Sequence, residues 1–211
     1  LHSTSRRQRQ MCIRDRLYTS ERIGDNMRVI TGLARGRKLV TLEGEDVRPT
    51  TDMVKEAIFS VIQFDIEGSV VLDLFSGSGQ LGIEALSRGA KYCRFVDKSQ
   101  ASAEITRQNV TACGFVRDSA VSVMDSIDFV RGVRMTFDIA FLDPPYRHGL
   151  IGQALPLLES KMSDRGIVVC EHEKGLVLPD NVGKLEKKKT YRYGKIEVTV
   201  YRVPLPVDDE E

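Results

Sequence analysis

Residues that bind metals or form crosslinks are scarce in this chain of 211 residues. Its four cysteines (Cys12, Cys93, Cys113, Cys170) are scattered and contain no C-x-x-C pair. That excludes a zinc ribbon and a disulfide framework, and it fits a reducing compartment. The three histidines (His2, His148, His172) are equally dispersed, so no metal-ligand spacing exists and no metal is expected. Apolar runs are short: none nears the roughly 18 residues of a membrane span, and no secretory apolar segment is present. The expectation is a cytoplasmic protein without a membrane partner. A charge excess is missing as well. With 31 basic and 30 acidic residues the net charge is +1, so any nucleic-acid affinity must come from local patches.

What remains is the composition of a globular protein with a real core: 41% hydrophobic and 29% charged residues. Residues 1–26 lack helical or strand periodicity. The run Met11-Cys12-Ile13-Arg14-Asp15-Arg16 reads like translated adapter or vector sequence, which places the natural start at Met27. A basic RNA-binding arm around Arg6, Arg7 and Arg9 is the competing reading. Residues 27–66 form an N-terminal extension. Segments 28–32 and 38–42 flank a turn rich in Gly and Arg, the pattern of a small β-hairpin. Val54, Ala57, Ile58, Val61 and Ile62 then recur at helical spacing, with Thr50, Thr51 or Asp52 as the cap.

Residues 67–204 alternate between strand and helix patterns. Strands are expected at 70–74, 93–96, 120–123, 137–142 and 166–170, and helices at 81–88, 99–113, 126–131 and 150–161. This rhythm calls for a parallel sheet covered on both faces. Segments 186–191 and 196–203, joined through Tyr193-Gly194, read as an antiparallel hairpin at the sheet edge. Residues 205–211 are an acidic tail.

Two motifs carry chemistry. After the first strand comes Ser76-Gly77-Ser78-Gly79-Gln80-Leu81-Gly82, a G-x-G-x-x-G between strand and helix. Glycines allow the tight turn and let a cofactor approach the backbone. Asp97 ends the next strand, where an acid binds ribose hydroxyls. The fingerprint alone admits NAD, FAD or S-adenosylmethionine. Asp73, just before the glycines, favours the last, because a carboxylate sits badly beside a pyrophosphate and well near a sulfonium and an amine. Asp125 follows the third strand and either accepts from an adenine amine or caps the next helix. Phe75, Ser76, Ser78, Lys98 and Ser126 flank these positions and complete the candidate cofactor set.

The second motif is Asp143-Pro144-Pro145-Tyr146, at the C-terminal end of the strand 137–142. Open α/β sheets bind ligands outside those ends. Prolines leave carbonyls free of N–H competition, so an acid, two such carbonyls and an aromatic ring suit a flat base with an exocyclic amine. A plain proline-rich turn is the alternative. Arg28, Arg35, Arg37 and Lys38, with no acid in residues 27–41, are the candidate RNA contacts. Lys184, Lys187, Lys188, Lys189 and Arg192 offer a second patch.

With these residues in view, the chain resembles the class I S-adenosylmethionine-dependent methyltransferases. More narrowly, it resembles the RsmD family of 16S ribosomal RNA (guanine-N2)-methyltransferases. The resemblance runs from about Met27 to Val203. It rests on Arg28-Val29-Ile30-Thr31-Gly32 with Arg35-Gly36-Arg37-Lys38-Leu39, and on Arg48-Pro49-Thr50-Thr51-Asp52. Asp73-Leu74-Phe75-Ser76-Gly77-Ser78-Gly79, Glu84-Ala85-Leu86-Ser87-Arg88-Gly89-Ala90 and Asp143-Pro144-Pro145-Tyr146 follow in order. Ser76 stands where the family often has Ala. The resemblance implies a bacterial rRNA-processing enzyme with a Rossmann-like, seven-stranded, mostly parallel sheet whose last strand is antiparallel, preceded by the small hairpin and helix. It implies one S-adenosylmethionine per monomeric chain and a 16S rRNA substrate, as free RNA or within the small subunit. It makes Asp73, Gly77 and Gly79 methionine-side contacts, Asp97 the ribose ligand, Asp125 the adenine contact, and Asp143 to Tyr146 the target-base residues. Arg48-Pro49-Thr50 would close over the cofactor. The alternatives are a DNA or RNA adenine-N6 or cytosine-N4 methyltransferase, and a cofactor-binding module without activity.

Overall fold

A computed structural model of the chain describes residues 27–41, 52–146 and 148–205. The expectations for residues 1–26, for Arg48-Pro49-Thr50-Thr51 and for most of the acidic tail lie outside the described residues.

Apolar strands and amphipathic helices alternate as their patterns dictate. Helix α1 (Asp52–Val61) precedes strand β1 (Val70–Asp73), α2 (Gln80–Ser87), β2 (Tyr92–Asp97), α3 (Gln100–Cys113) and β3 (Ser119–Val123). Then follow α4 (Ser126–Gly132), β4 (Phe137–Leu142), α5 (Leu150–Leu158), β5 (Met162–Glu173), β6 (Asn181–Val182), β7 (Leu185–Tyr193) and β8 (Ile196–Arg202). All strands join one sheet in the order β3-β2-β1-β4-β5-β8-β7-β6. Strands β1 to β5 pair in parallel, and β8 is antiparallel to both β5 and β7.

The central strands are buried on both faces, so they read as continuous apolar runs rather than as alternation. Side chains still alternate between faces with period two. Val71, Ile139, Phe141, Ile167 and Val169 pack with α1, α2, α3 and the N-terminal segment in one core. Leu72, Ala140, Leu142, Val168 and Cys170 pack with α4 and α5 in the other.

Three expectations need correction. The sheet has eight strands rather than seven, because the two residues of β6 add a short antiparallel rung beyond β7; two residues are too few to leave a periodic signal. The last strand is antiparallel as expected, yet it lies inside the sheet between β5 and β7, so β7 and β6 rather than β8 approach the edge. Strand β5 spans twelve residues, well beyond 166–170. Its extension carries Glu171 and His172, both buried, whose polarity hid the strand. His172 is satisfied there by Thr199 Oγ1 at 2.8 Å and the Glu173 carbonyl at 3.0 Å.

The N-terminal hairpin exists as a single antiparallel bridge, Arg28 to Lys38, rather than as two strands. The Val29 N–H donates to the Arg37 carbonyl (2.9 Å) and the Leu39 N–H to that of Met27 (2.8 Å). This ribbon gains its order by docking. Glu84, fully buried on α2, accepts the N–H groups of Ile30 (2.7 Å) and Thr31 (3.0 Å) while paired with Arg88 at 2.8 Å. Buried Lys55 of α1 donates to the Arg28 carbonyl at 2.5 Å. Burial holds the Lys55 pKa below its usual value, partly offset by the Glu84 and Asp52 carboxylates.

Candidate active site

Strand order reverses between β1 and β4: from β1 the chain winds outward through β2 and β3, then crosses back to β4. Such a reversal opens a crevice at the carboxyl ends. Four adjacent strands, β3, β2, β1 and β4, each deliver an aspartate there. These are Asp125 two residues past β3, Asp97 ending β2, Asp73 ending β1 and Asp143 one residue past β4. Pairing aligns them, since Asp97 opposes Val123, and Asp73 opposes both Phe95 and Phe141. Low-dielectric walls lined by one sign of charge favour a cation.

The turn after β1 is held from three sides. The Ser76 N–H donates to the Val96 carbonyl (3.0 Å) and the Gly79 N–H to that of Ser76 (2.6 Å). The Gly77 N–H donates to Asp97 Oδ2 at 2.9 Å, and Asp97 Oδ1 takes the Ser99 N–H at 2.8 Å. Gly77 (φ 53°) and Gly79 (φ 79°) are left-handed, a region that costs a side chain about 1–2 kcal/mol. A Cβ on Gly77 would enter open space, so the backbone itself borders the crevice there.

Asp73 lies deep at the end of β1. It is 3% exposed, and its Oδ2 accepts the Gly82 N–H at 2.9 Å, tying the strand end to the first turn of α2. Burial pushes its carboxyl up to about 7, opposed by the Gly82 bond and helped by Asp97. Asp125 is the N-cap of α4, with Oδ1 accepting from Ile127 (2.9 Å) and Asp128 (3.2 Å). The capping alternative is therefore realised, while the side chain stays exposed at the crevice. The Ser126 hydroxyl donates inward to the Leu74 carbonyl at 2.7 Å. Phe75 and Ser78 are half-buried and Lys98 is exposed.

Asp143-Pro144-Pro145-Tyr146 follows β4 directly. Pro144 is buried, Pro145 exposed, and Asp143 and Tyr146 half-buried. β1 continues its bonding to β4 past the strand end, the Leu74 N–H donating to the Phe141 carbonyl at 3.1 Å, so the tetrapeptide lies beside the turn.

Arg28, Arg35, Arg37 and Lys38 are all exposed, and the bridge sets Arg28 opposite Lys38. Arg28 also pairs with Asp52 at 3.2 Å. The second basic patch is largely spent internally. Lys187 pairs with Asp180, Lys188 with Glu186 and Arg192 with Glu197, while Lys184 donates to the Met162 carbonyl. A groove of about 530 Å³ lined by Thr31, Leu33, Gln63, Ser87 and Arg88 lies at the far end of α2 and contains none of these site residues.

Two residues that the motifs did not indicate complete the site. Thr106 Oγ1 donates to the Gly77 carbonyl (2.9 Å) and Asn109 Nδ2 to that of Ser78 (2.8 Å). Their trace in the sequence is polarity at buried helical positions of α3.

The residues fit a nucleoside cofactor. Beside the glycines, Ser76 Oγ and Gln80 Oε1 are buried with no hydrogen-bond partner among the described residues, as groups awaiting one would be. Fold and glycine turn together are those of the class I methyltransferases, whose cofactor is S-adenosylmethionine. The family model described as "Conserved hypothetical protein 95" matches residues 27–202, and the chain belongs to this family, the RsmD family. It is 37% identical over 171 residues to the "Ribosomal RNA small subunit methyltransferase D" of Haemophilus influenzae, covering 78% of this chain and 89% of that one. The solved structure titled "Putative methyltransferase yhhF from Escherichia coli" superposes with a TM-score of 0.74 at 29% identity, covering 84% of this chain and 98% of that one. An RNA methyltransferase from Salinibacter ruber, solved with S-adenosyl-L-homocysteine, shares the fold at 19% identity and a TM-score of 0.57 over 77% of this chain and 98% of its own.

Proposed function

We propose that this chain methylates the exocyclic N2 amine of one guanine in 16S ribosomal RNA, with S-adenosylmethionine as donor. The observation that carries the reading is the position of Asp143-Pro144-Pro145-Tyr146, immediately past β4 and beside the glycine turn that follows β1. The RNA substrate is supported by relatives named as small-subunit rRNA methyltransferases. The choice of guanine N2 rests on family resemblance.

When bound, S-adenosylmethionine supplies an electrophilic methyl on a sulfonium. The Gly77 and Gly79 backbone would border it, Asp97 would take its ribose hydroxyls, and Asp73 would set the local negative field. At the other side of the crevice, a guanine amine is a poor nucleophile because its lone pair is delocalised into the ring. Hydrogen bonds from that amine to the Asp143 carboxylate and the Pro144 carbonyl favour a pyramidal nitrogen with its lone pair aimed at the donor. Tyr146 stacks on the base and fixes its plane, as aromatic side chains do for unstacked RNA bases. Most of the acceleration comes from this positioning. Asp143 accepts the proton released from the amine, or passes it to water. The base must stand outside a stack, flipped or in a loop.

Exposed Arg35, Arg37 and Lys38, with Arg28, would hold the RNA backbone. Like charges placed opposite each other in a ribbon are unfavourable by themselves; at Arg28 the Asp52 carboxylate at 3.2 Å offsets this.

Mass spectrometry of 16S rRNA from a strain lacking this gene tests the reading. One missing N2-methylguanosine is expected, restored by the purified protein acting on naked rRNA or on small subunits. An unchanged rRNA, or loss of a different methylated base, overturns it.

A further inference from the structure

Asn109 lies on α3, 1% exposed, and its side-chain hydrogen bonds join two separate segments. Its Nδ2 donates to the Val40 carbonyl at 2.9 Å and to the Ser78 carbonyl at 2.8 Å. Its Oδ1 accepts the Val40 N–H at 2.8 Å. The orientation of the amide is fixed by this set, because a flipped group would place an oxygen against the Ser78 carbonyl. One buried side chain therefore grips both backbone polar groups of Val40, in the segment that carries the basic residues, and one carbonyl of the glycine turn.

Thr106, one turn earlier on the same helix face, takes the neighbouring Gly77 carbonyl at 2.9 Å. Its hydroxyl bonds to the turn, whereas Asn109 bonds to the turn and the N-terminal segment together. Because a trans peptide is planar with its C=O and N–H antiparallel, fixing these two carbonyls fixes where the Ser78 and Gly79 N–H groups point. Ser78 adds a weaker tie of its own, its hydroxyl donating to Met27 Sδ at 3.2 Å. The Asn109 amide is thus the main link between the glycine turn and the basic N-terminal segment.

We propose that Asn109 is a positioning residue that couples RNA binding on residues 27–41 to cofactor binding at the glycine turn. RNA that anchors the segment holds Val40, Val40 holds Asn109, and Asn109 holds the Ser78 carbonyl. A cofactor meeting an already ordered turn loses less conformational freedom on binding, so the coupling is positive. Linkage makes it reciprocal: the factor by which RNA tightens the cofactor is the factor by which the cofactor tightens RNA. This inference rests on the proposed RNA-binding role of residues 27–41.

The test is calorimetric titration of S-adenosylhomocysteine into the full chain, with and without unmodified 16S rRNA transcript. In the wild type RNA should lower the dissociation constant by at least about 5-fold, the lower end of usual coupling. In Asn109→Ala that factor should fall towards one. Thr106→Val, which loosens the turn and leaves the Val40 bonds in place, should weaken the cofactor alone and keep the coupling factor. If the alanine variant does not fold, the near-isosteric Asn109→Asp keeps the Val40 N–H bond, sets an oxygen against the Ser78 carbonyl, and should also lose coupling. A wild-type coupling factor in either Asn109 variant, or none in the wild type while RNA still binds, overturns the proposal. Failure of the wild type to bind RNA at all would instead strike the RNA reading itself.

Discussion

The Asp73 carboxylate accepts the Gly82 N–H at 2.9 Å, so the acid that ends β1 is locked to the third glycine of the motif, in the first turn of α2. Buried on the sheet's carboxyl edge, Asp73 orders the cofactor turn and is a titrating group near neutral pH.

That burial has a consequence for pH. The folded-state pKa of Asp73 is about 7, against an ordinary value of 3.8. Between about pH 4 and 7 the folded chain keeps a proton that the unfolded chain has lost, so this group's effect is to lower stability as pH rises through that window. Asp73→Asn should remove this dependence, and urea titrations at about pH 5 and pH 8 compare the two slopes. Binding of the cationic S-adenosylmethionine should tighten as pH rises through about 7 in the wild type and stay flat in the variant.

Gly82 has no room for a side chain. A Cβ there would lie 2.3 Å from Phe95 Cε1 and 2.5 Å from Cys93 Sγ, both buried on β2. Gly82→Ala should destabilise the chain by about 1–3 kcal/mol through overpacking. A lower urea midpoint with an unchanged slope is the expected reading; an unchanged midpoint would show that β2 yields freely.

Asp143→Ala should abolish methyl transfer and leave S-adenosylhomocysteine affinity within about twofold by calorimetry, since its proposed partner is the base amine and not the cofactor. Normal turnover in that variant would refute its role. Tyr146→Phe keeps the ring and should be mild, whereas Tyr146→Ala should cost about 1–3 kcal/mol of RNA affinity from weaker stacking.

Charge reversal at Arg35 and Arg37 should weaken rRNA binding and flatten its salt dependence, by about one unit of slope for each phosphate no longer neutralised. Cofactor affinity without RNA should not move. A salt slope identical to the wild type would place the RNA elsewhere.

Glu84 is where the N-terminal ribbon is fastened. Glu84→Ala would leave the N–H groups of Ile30 and Thr31 and the Arg88 guanidinium without their acceptor. Losing one partner of a buried charged network typically costs about 3–5 kcal/mol. The expected outcome is a lower melting temperature together with faster amide exchange across residues 27–41.

The alternation of strands and helices, the parallel core, the glycine turn and Asp143-Pro144-Pro145-Tyr146 at a strand end were all legible in the amino-acid order. Apolar periodicity and glycine placement are local properties, written in consecutive residues. The assembled fold was needed to show that β8 inserts between β5 and β7, that polar Glu171 and His172 lie within a buried strand, and that Asp125 caps α4. It alone decided that Asp73 faces Gly82, and that Asn109 joins Val40 to Ser78 across 69 and 31 residues of sequence. Those outcomes depend on which buried polar group finds which partner, and partners so far apart in the chain meet only once the sheet has stacked the layers that hold them.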